Sequence, residues 1–325
     1  MAEAKRAVRS VASGLRVAVT GAAGSIGSKL VGRLAASDDV GGIIAFDARA
    51  AAADHAKVAV FRQDIRQPIA SVLREYGVNA VVHLAFLLRP GRDREAARRV
   101  NMGGTEHVLR ECRAAGVRQL LYLSSTTVYG PHPGDPQPYT ENSPVRPVRG
   151  FRYAEDKAAT ELMLEAYAAD NPETCVTVLR GCPVMGPRSE NFVTQAFRKL
   201  AAVRVLGADP HMQFLHEDDL LETLELCLLE QVPGVYNVTG EGTVALSEVA
   251  TVAGRRPVAV PGPLLALITQ ASWMLRLQSV SPSSGLAMLR WPWLASNEKL
   301  AREVRLRPRH TSREALEASP LARSK

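Results

Sequence analysis

Apolar positions along the chain follow two rhythms, and their alternation predicts strands separated by helices. Short, largely continuous apolar runs lie at Leu15 to Thr20, Gly42 to Phe46, Val58 to Phe61, Asn79 to Ala85, Arg118 to Leu123 and Cys175 to Arg180. They have the length and composition of strands covered on both faces. Between them the period lengthens. Ile26, Leu30, Val31 and Leu34 share one helical face, and the stretches through Asn101 to Ala115, Phe151 to Ala169 and Asp218 to Leu229 read as helices. The three acids Glu217, Asp218 and Asp219 suit the positive end of the last of these. Strands alternating with helices predict an α/β fold with a doubly wound parallel sheet. The proline-rich segment His132 to Pro147 predicts an irregular, ordered cover. Leu264 to Leu277 is a further apolar stripe, carrying Trp273 and Met274 and followed by Trp291-Pro292-Trp293. It reads as core, or as the lining of a pocket for a greasy substrate.

Composition narrows the picture. With 46% hydrophobic and 22% charged residues over 325 positions, the chain can bury one large core or two modest ones. A net charge of +7 is compatible with nucleic acid, but a bound dinucleotide or an arginine-rich composition accounts for it equally, and no nucleic-acid partner is expected. The five arginines from Arg89 to Arg99 read as the solvated start of a helix, with an anionic partner as the other reading. Cys112, Cys175, Cys182 and Cys227 lack CxxC spacing, which predicts neither a metal site nor a disulfide framework and is consistent with a reducing cytoplasm. No apolar run follows Lys5, Arg6 and Arg9 as a signal peptide requires. Pro261-Gly262-Pro263 divides the uncharged stretch from Val258 to Leu275, so no membrane span is expected.

The chemistry concentrates at strand ends. Gly21-Ala22-Ala23-Gly24-Ser25-Ile26-Gly27 follows the first strand and opens the first helix. In that context Gly21 permits a tight turn, Gly24 lets backbone approach a pyrophosphate, Gly27 lets helix pack on strand, and the helix N-terminus faces the phosphates. Asp47, twenty residues after Gly27, stands where a carboxylate accepts the adenosine ribose hydroxyls, which favours NAD over NADP, although Arg49 keeps a 2′-phosphate in view. Asp64 reads as a turn residue or an adenine contact. His83, before Leu84 and Ala85, reads as a packed or backbone-positioning histidine, having no partner at metal-ligand spacing. A hydroxyl among Ser124 to Thr127 can donate to a substrate oxygen as charge develops there. Tyr153 and Lys157, four residues apart, share one helical face. A lysine cation favours the phenolate, making Tyr153 a proton acceptor for an alcohol losing hydride; the same spacing also occurs on ordinary helix surfaces.

Taken together and in order, these motifs resemble the extended short-chain dehydrogenase/reductase family, in its NAD-dependent epimerase/dehydratase branch. The resemblance runs from Val17 to about Ala318 and is carried further by Asn101-Met102-Gly103-Gly104-Thr105, Ser124 to Gly130, Tyr153 to Lys157 and Leu179 to Pro187. It implies a Rossmann sheet over residues 14–183 with a returning strand near 234–239. A smaller, interleaved substrate domain would occupy 184–318, with flexible ends at 1–13 and 319–325. It implies Ser125 (Thr126 as the alternative), Tyr153 and Lys157 as catalytic residues, and no metal. Cofactor contacts are implied for Gly21, Gly24, Ser25, Ile26, Gly27, Asp47, Asp64, Ile65, Leu84, Ala85, Asn101, Tyr153, Lys157 and Pro183. The aspartate ending Phe214 to Asp219 is implied to be structural, and the family's habit of pairing through a helical face leaves a homodimer open.

One departure bears on the substrate, a small molecule. Sugar-nucleotide members often carry an arginine just before the Phe214-Leu215-His216 motif to grip the diphosphate, and here Met212 and Gln213 stand there. Methionine supplies no charge-assisted contact. The sequence therefore suggests an NAD-dependent oxidoreductase acting on an apolar or non-nucleotide secondary alcohol or ketone. The alternative is a sugar-nucleotide epimerase or dehydratase, in which Arg188, Arg198 or Arg204 takes over the missing contact. A nicotinamide-sensing protein without chemistry is the third reading, and the retained tyrosine–lysine pair speaks against it.

Overall fold

The computed structural model describes residues 14–50, 54–88, 94–189, 194, 197–198, 203–278 and 282–322. Strands β1 (Leu15–Thr20), β2 (Val40–Asp47), β3 (Val58–Arg62), β4 (Ala80–His83), β5 (Gln119–Ser125), β6 (Cys175–Gly181) and β7 (Gly234–Val238) form one sheet. Their order is β7-β6-β5-β4-β1-β2-β3, and the described pairings among β1 to β5 are parallel. The helices before and between the later strands are α1 (Ser25–Ala36), α2 (Ala70–Glu75), α3 (Arg94–Arg98), α4 (Gly104–Ala115), α5 (Arg152–Asp170) and α6 (Glu217–Leu229). Every residue of β2 is buried, as a strand covered on both faces requires. Strand order reverses between β1 and β4, where Thr20 pairs with His83 at the carboxyl ends. That is the switch point at which open α/β sheets hold ligands.

The sequence-based boundaries shift in places. Leu84 and Ala85 leave the sheet: their N–H groups turn over the end of β1 to Thr20 O at 3.1 Å and Thr20 Oγ1 at 3.3 Å. The helix expected through Asn101 is interrupted by a π-helical turn, Arg99–Gly103, between α3 and α4. Gly104 follows, and a β-carbon there would lie 2.5 Å from Ile65 Cδ1. Arg89 and Arg92 fall outside the described residues, while Arg98 and Arg99 are exposed.

By packing, the chain divides into two compact units. One comprises the chain up to Leu123 with Ala159–Leu179 and Leu221–Val235; the other comprises Ser124–Ala158, Arg180–Leu220 and the chain from Tyr236. The first has a core that includes Ile44, Phe46, Ile69, Leu73, Val81, Leu120, Tyr122 and Leu164. In the second, Met185, Phe214, Val244, Leu246, Val249, Leu316 and Leu321 form one cluster, and Tyr129, Tyr139, Met288, Trp293 and Ala295 another. Its further helices are α7 (Leu246–Val252), α8 (Gly262–Met274), α9 (Glu298–Glu303) and α10 (Ser312–Ala318). Packing continues past Ala318, where the sequence suggested a flexible end: Ser319 and Leu321 are fully buried. Residues 1–13 and 323–325 lie outside the described residues. The proline-rich segment is fastened by Tyr139, whose N–H donates to Leu294 O at 2.7 Å and whose carbonyl accepts from Ser296 N at 2.8 Å.

Candidate active site

In the first unit the glycine turn is shaped by close backbone approach. Gly21 has φ +74°, and a β-carbon there would lie 2.7 Å from Ala85 N. Such a φ, and that proximity, select glycine. At Gly27 a β-carbon would lie 2.2 Å from Gly21 O, so α1 rests directly on the turn that precedes it. Gly24 is the N-cap of α1 and has no side chain to bond the first-turn N–H groups, which stay available to an anion. Ser25 is exposed and Ile26 half-buried. Asp47, at the end of β2, accepts from Ala23 N at 3.0 Å through Oδ2 and from Arg49 N at 2.8 Å through Oδ1. Arg49 Nε adds a longer bond to Oδ1 at 3.4 Å, so of a carboxylate's roughly four lone-pair positions one stays open to a ribose hydroxyl. The cradle and the carboxylate fit the adenosine and pyrophosphate portion of a dinucleotide.

Asp64 is engaged by its neighbour: Arg66 donates Nε to Oδ1 at 2.9 Å and Nη2 to Oδ2 at 2.7 Å. That side-chain bond holds the Asp64 carboxyl below its usual range, against a smaller opposing effect of burial. Arg66, Arg98, Arg99 and Arg110 line an open, basic cleft with Glu95 and His107.

A buried chain of hydroxyl, imidazole and amide fixes the loop after β4. His83 Nδ1 lies 2.7 Å from Thr20 Oγ1, and His83 Nε2 lies 3.0 Å from Thr105 Oγ1. Thr105 donates its own proton to Asn101 O at 2.6 Å, so it accepts from Nε2–H. The network thereby assigns the tautomer with the proton on Nε2, leaving Nδ1 to accept from Thr20. Asn101, inside the π turn, closes the chain by accepting Leu87 N at 2.8 Å. His83 is thus a positioning residue. Asn101 acts on backbone here, a role that its sequence motif alone did not reveal.

In the second unit Ser125 ends β5 with extended backbone (φ −148°, ψ 145°) and caps the short turn Thr126–Val128. Its Oγ accepts from Thr127 N at 3.3 Å and from Thr127 Oγ1 at 3.1 Å. A hydroxyl with both acceptor positions used keeps one proton to donate. That proton meets Tyr153, to which Ser125 is hydrogen-bonded. Thr126 does not compete for this place, since its Oγ1 is buried without a hydrogen-bond partner among the described residues. Tyr153 stands in the first turn of α5, steadied by the Gly150 N–H, which donates to Glu155 Oε1 at 2.8 Å. Burial pushes the Tyr153 phenol up from its ordinary value, and the Ser125 bond draws it back only in part. Lys157, one helical turn on, is buried. Thr127 is the residue that sequence reasoning missed; its two donors, both directed at one oxygen, are invisible in the string of hydroxyls.

Beneath the proline-rich cover lies a second network. Tyr129 O–H donates to Asn237 Oδ1 at 2.8 Å and accepts from Arg180 Nη1 at 2.8 Å. Asn237 N donates to Glu141 Oε1 at 2.8 Å. Pro183 O accepts from Leu215 N at 3.0 Å, joining Val184–Met185 to Leu215–His216. Gln213 is clamped on backbone: Oε1 accepts from Ala295 N at 2.8 Å and Nε2 donates to Ala295 O at 3.1 Å. Arg188 donates to Glu217 and Asp218, and Arg198 to Pro320 O. Asp219 Oδ2 accepts the His310 N–H at 3.0 Å, a structural use of that aspartate.

A model of the NAD dependent epimerase/dehydratase family matches residues 17–239. The chain belongs to that family. This epimerase/dehydratase family member is 32% identical over 255 residues to an uncharacterized protein of Mycobacterium tuberculosis, covering 76% of this chain and 68% of the relative. It is 33% identical over 189 residues to a UDP-glucose 4-epimerase of Mycolicibacterium smegmatis, covering 54% and 58%. Among solved structures it is similar to MoeE5 in complex with UDP-glucuronic acid and NAD, with 26% identity, a TM-score of 0.71 and coverage of 95% and 99%. The UDP-glucose 4-epimerase of Thermus thermophilus with NAD shares its fold at 24% identity, a TM-score of 0.71 and coverage of 95% and 98%.

Proposed function

We propose that this family member binds NAD and oxidises a secondary alcohol, with Tyr153 as acid–base, Ser125 as oxygen donor and Lys157 as the cation beside them. The observation that carries the reading is the Ser125–Tyr153 hydrogen bond, with the Ser125 lone pairs occupied by Thr127. That arrangement sets the serine hydroxyl and the phenol side by side, where an incoming substrate oxygen would take over the serine proton from Tyr153. The pyrophosphate would rest on Gly21, Gly24, Ser25, Ile26 and Gly27, the adenosine ribose on Asp47, and the adenine beside Asp64 and Ile65. Leu84, Ala85, Asn101 and Pro183 would border the remainder, and Lys157 would hold the second ribose. NAD when bound supplies the hydride acceptor. Tyr153 takes the hydroxyl proton as the carbon–hydrogen bond breaks, and Ser125 steadies the oxygen as it becomes a carbonyl. Burial keeps Tyr153 a neutral phenol in the free chain, so Lys157 and the oxidised cofactor are needed to make it a base. In the reverse direction the neutral phenol is already the right acid.

Two substrate classes share this half-reaction. The Gln213 clamp favours a substrate without a diphosphate handle, because the side chain at that place is spent on Ala295. A sugar-nucleotide epimerase or dehydratase is favoured by the likeness to MoeE5 in complex with UDP-glucuronic acid and NAD. Accumulation of NADH separates them: a net dehydrogenase releases it, whereas an epimerase turns over with none appearing. Incubation with NAD and panels of secondary alcohols and UDP-sugars, read by absorbance and by product analysis, makes the choice. Unimpaired turnover by Tyr153→Phe would overturn the shared mechanism.

A further inference from the structure

Helix α8 turns the wrong face outward for a helix that belongs only to a folded core. Leu264, Leu267, Ile268, Ala271, Met274 and Leu275 recur at helical spacing and are all exposed, Leu267 by 67% and Met274 by 72%. Its polar residues Thr269, Gln270 and Ser272 are half-buried instead, and Gln270 Oε1 accepts from Ser283 Oγ at 3.0 Å. Leu265 is the buried apolar anchor. Burial alone would place the stripe inward. Further exposed apolar side chains are Leu277, Val258 on the strand that pairs with Val203–Val205, and Leu206 just after that strand. An exposed apolar helix face of this kind marks an interaction site.

Charge identifies the occupant. Between Glu248 and Glu298 the chain has four arginines, Arg255, Arg256, Arg276 and Arg290, and no acidic residue. All four are exposed. The Arg290 guanidinium lies 5.1 Å from the centre of the Trp291 ring, itself partly exposed. An exposed apolar stripe in a segment whose charged residues are all exposed arginines, with Trp291 beside Arg290, matches the boundary between acyl chains and anionic headgroups. A symmetric pairing of two copies through this face would set arginines against arginines. The helix, 13 residues long and so about 20 Å, is too short to cross a bilayer but suited to lying in its surface. No helix among the described residues is long and apolar enough to span one.

We propose that α8, with Leu277, Leu206 and Val258 and the four arginines, is a docking face by which this protein seats peripherally on an anionic bilayer. The test is co-sedimentation of the full chain with phosphatidylcholine vesicles containing about one-third phosphatidylglycerol, against vesicles of phosphatidylcholine alone. Binding to the mixed vesicles is expected, weakening as salt is raised. Leu267→Glu with Ile268→Glu should lower it at least about ten-fold. Arg255→Gln with Arg256→Gln should lower it up to about thirty-fold, the factor that about 1 kcal/mol per arginine gives. Both pairs are exposed, and unchanged melting temperatures would show that the fold is intact. Failure of the wild-type chain to sediment with mixed vesicles overturns the proposal, as does equal binding by the Leu267/Ile268 variant. A concentration-dependent dimer that this variant dissolves, without vesicle binding, overturns it in favour of a second copy.

Discussion

Gly27→Ala and Gly32→Ala make the same chemical change twice in α1, and the structure predicts opposite results. At Gly27 the new carbon would lie 2.2 Å from Gly21 O, 2.9 Å from Gly21 C and 3.0 Å from Ala22 Cα. All three are backbone atoms of the glycine turn, so no side chain can swing aside. Restoring ordinary contact requires α1 and the turn to separate by about 1 Å or more, an overpacking that costs about 1–3 kcal/mol. The displaced N–H groups would also weaken NAD binding, by about ten-fold or more if the first helical turn is what receives the pyrophosphate. At Gly32 a β-carbon meets nothing within 4 Å. There alanine should raise stability by about 0.5–1 kcal/mol through helix propensity alone. Thermal or urea melts measure the first effect, and calorimetric titration with NAD the second. If Gly27→Ala melts with the wild type and binds NAD as tightly, the packing of α1 on the turn does not shape a cofactor cradle.

Ser125→Ala should lower kcat by about 10²–10³. For alcohol oxidation it should also move the acidic limb of the pH–rate profile upward, because the bond that draws the Tyr153 phenol down is lost; an unmoved limb would contradict the assignment. Asp47→Ala should raise KM for NAD and lower it for NADP, since the carboxylate that repels a 2′-phosphate is gone while Arg49 remains; parallel kinetics with the two cofactors test this. Glu111 is pushed up by burial, but the Ala70 and Ile69 N–H groups at 2.9 and 2.7 Å outweigh that and hold it below its ordinary value. A depressed carboxyl stabilises the fold above its unfolded pKa and stops doing so as pH falls through the folded one. Glu111→Gln should therefore cost about 1–3 kcal/mol at neutral pH, with the gap to wild type closing in acid, as urea melts at several pH values would show.

Much of the sheet and its glycine turn was legible because strands buried on both faces announce themselves as unbroken apolar runs, and because glycine marks where backbone must approach backbone. The π turn at Arg99–Gly103 was not. It depends on Asn101 reaching Leu87 and on Ile65 filling the space beside Gly104, contacts between segments far apart in sequence. The apolar stripe from Leu264 was read as core or pocket lining, yet it is largely exposed. Periodicity tells which residues share a face and is silent about what covers it. Pro261 and Pro263 do divide that segment, ending the strand Val258–Val260 and standing at the N-cap and second position of α8, where proline's fixed φ is tolerated. The string of hydroxyls from Ser124 to Thr127 gives no sign that Thr127 donates twice to the Ser125 oxygen, a pairing that only the folded chain shows.

The Gln213 clamp ties recognition to scaffold strength in a single side chain. Introducing arginine there to create a diphosphate grip would also remove both Gln213 bonds to Ala295, with the longer bond from Thr239 Oγ1 at 3.4 Å still on its carbonyl. Any lineage or engineer moving this protein toward nucleotide-linked sugars would therefore need a compensating change near residue 295 first. On the proposed reading, a change of substrate grip at Gln213 is also a change in how Ala295 is held.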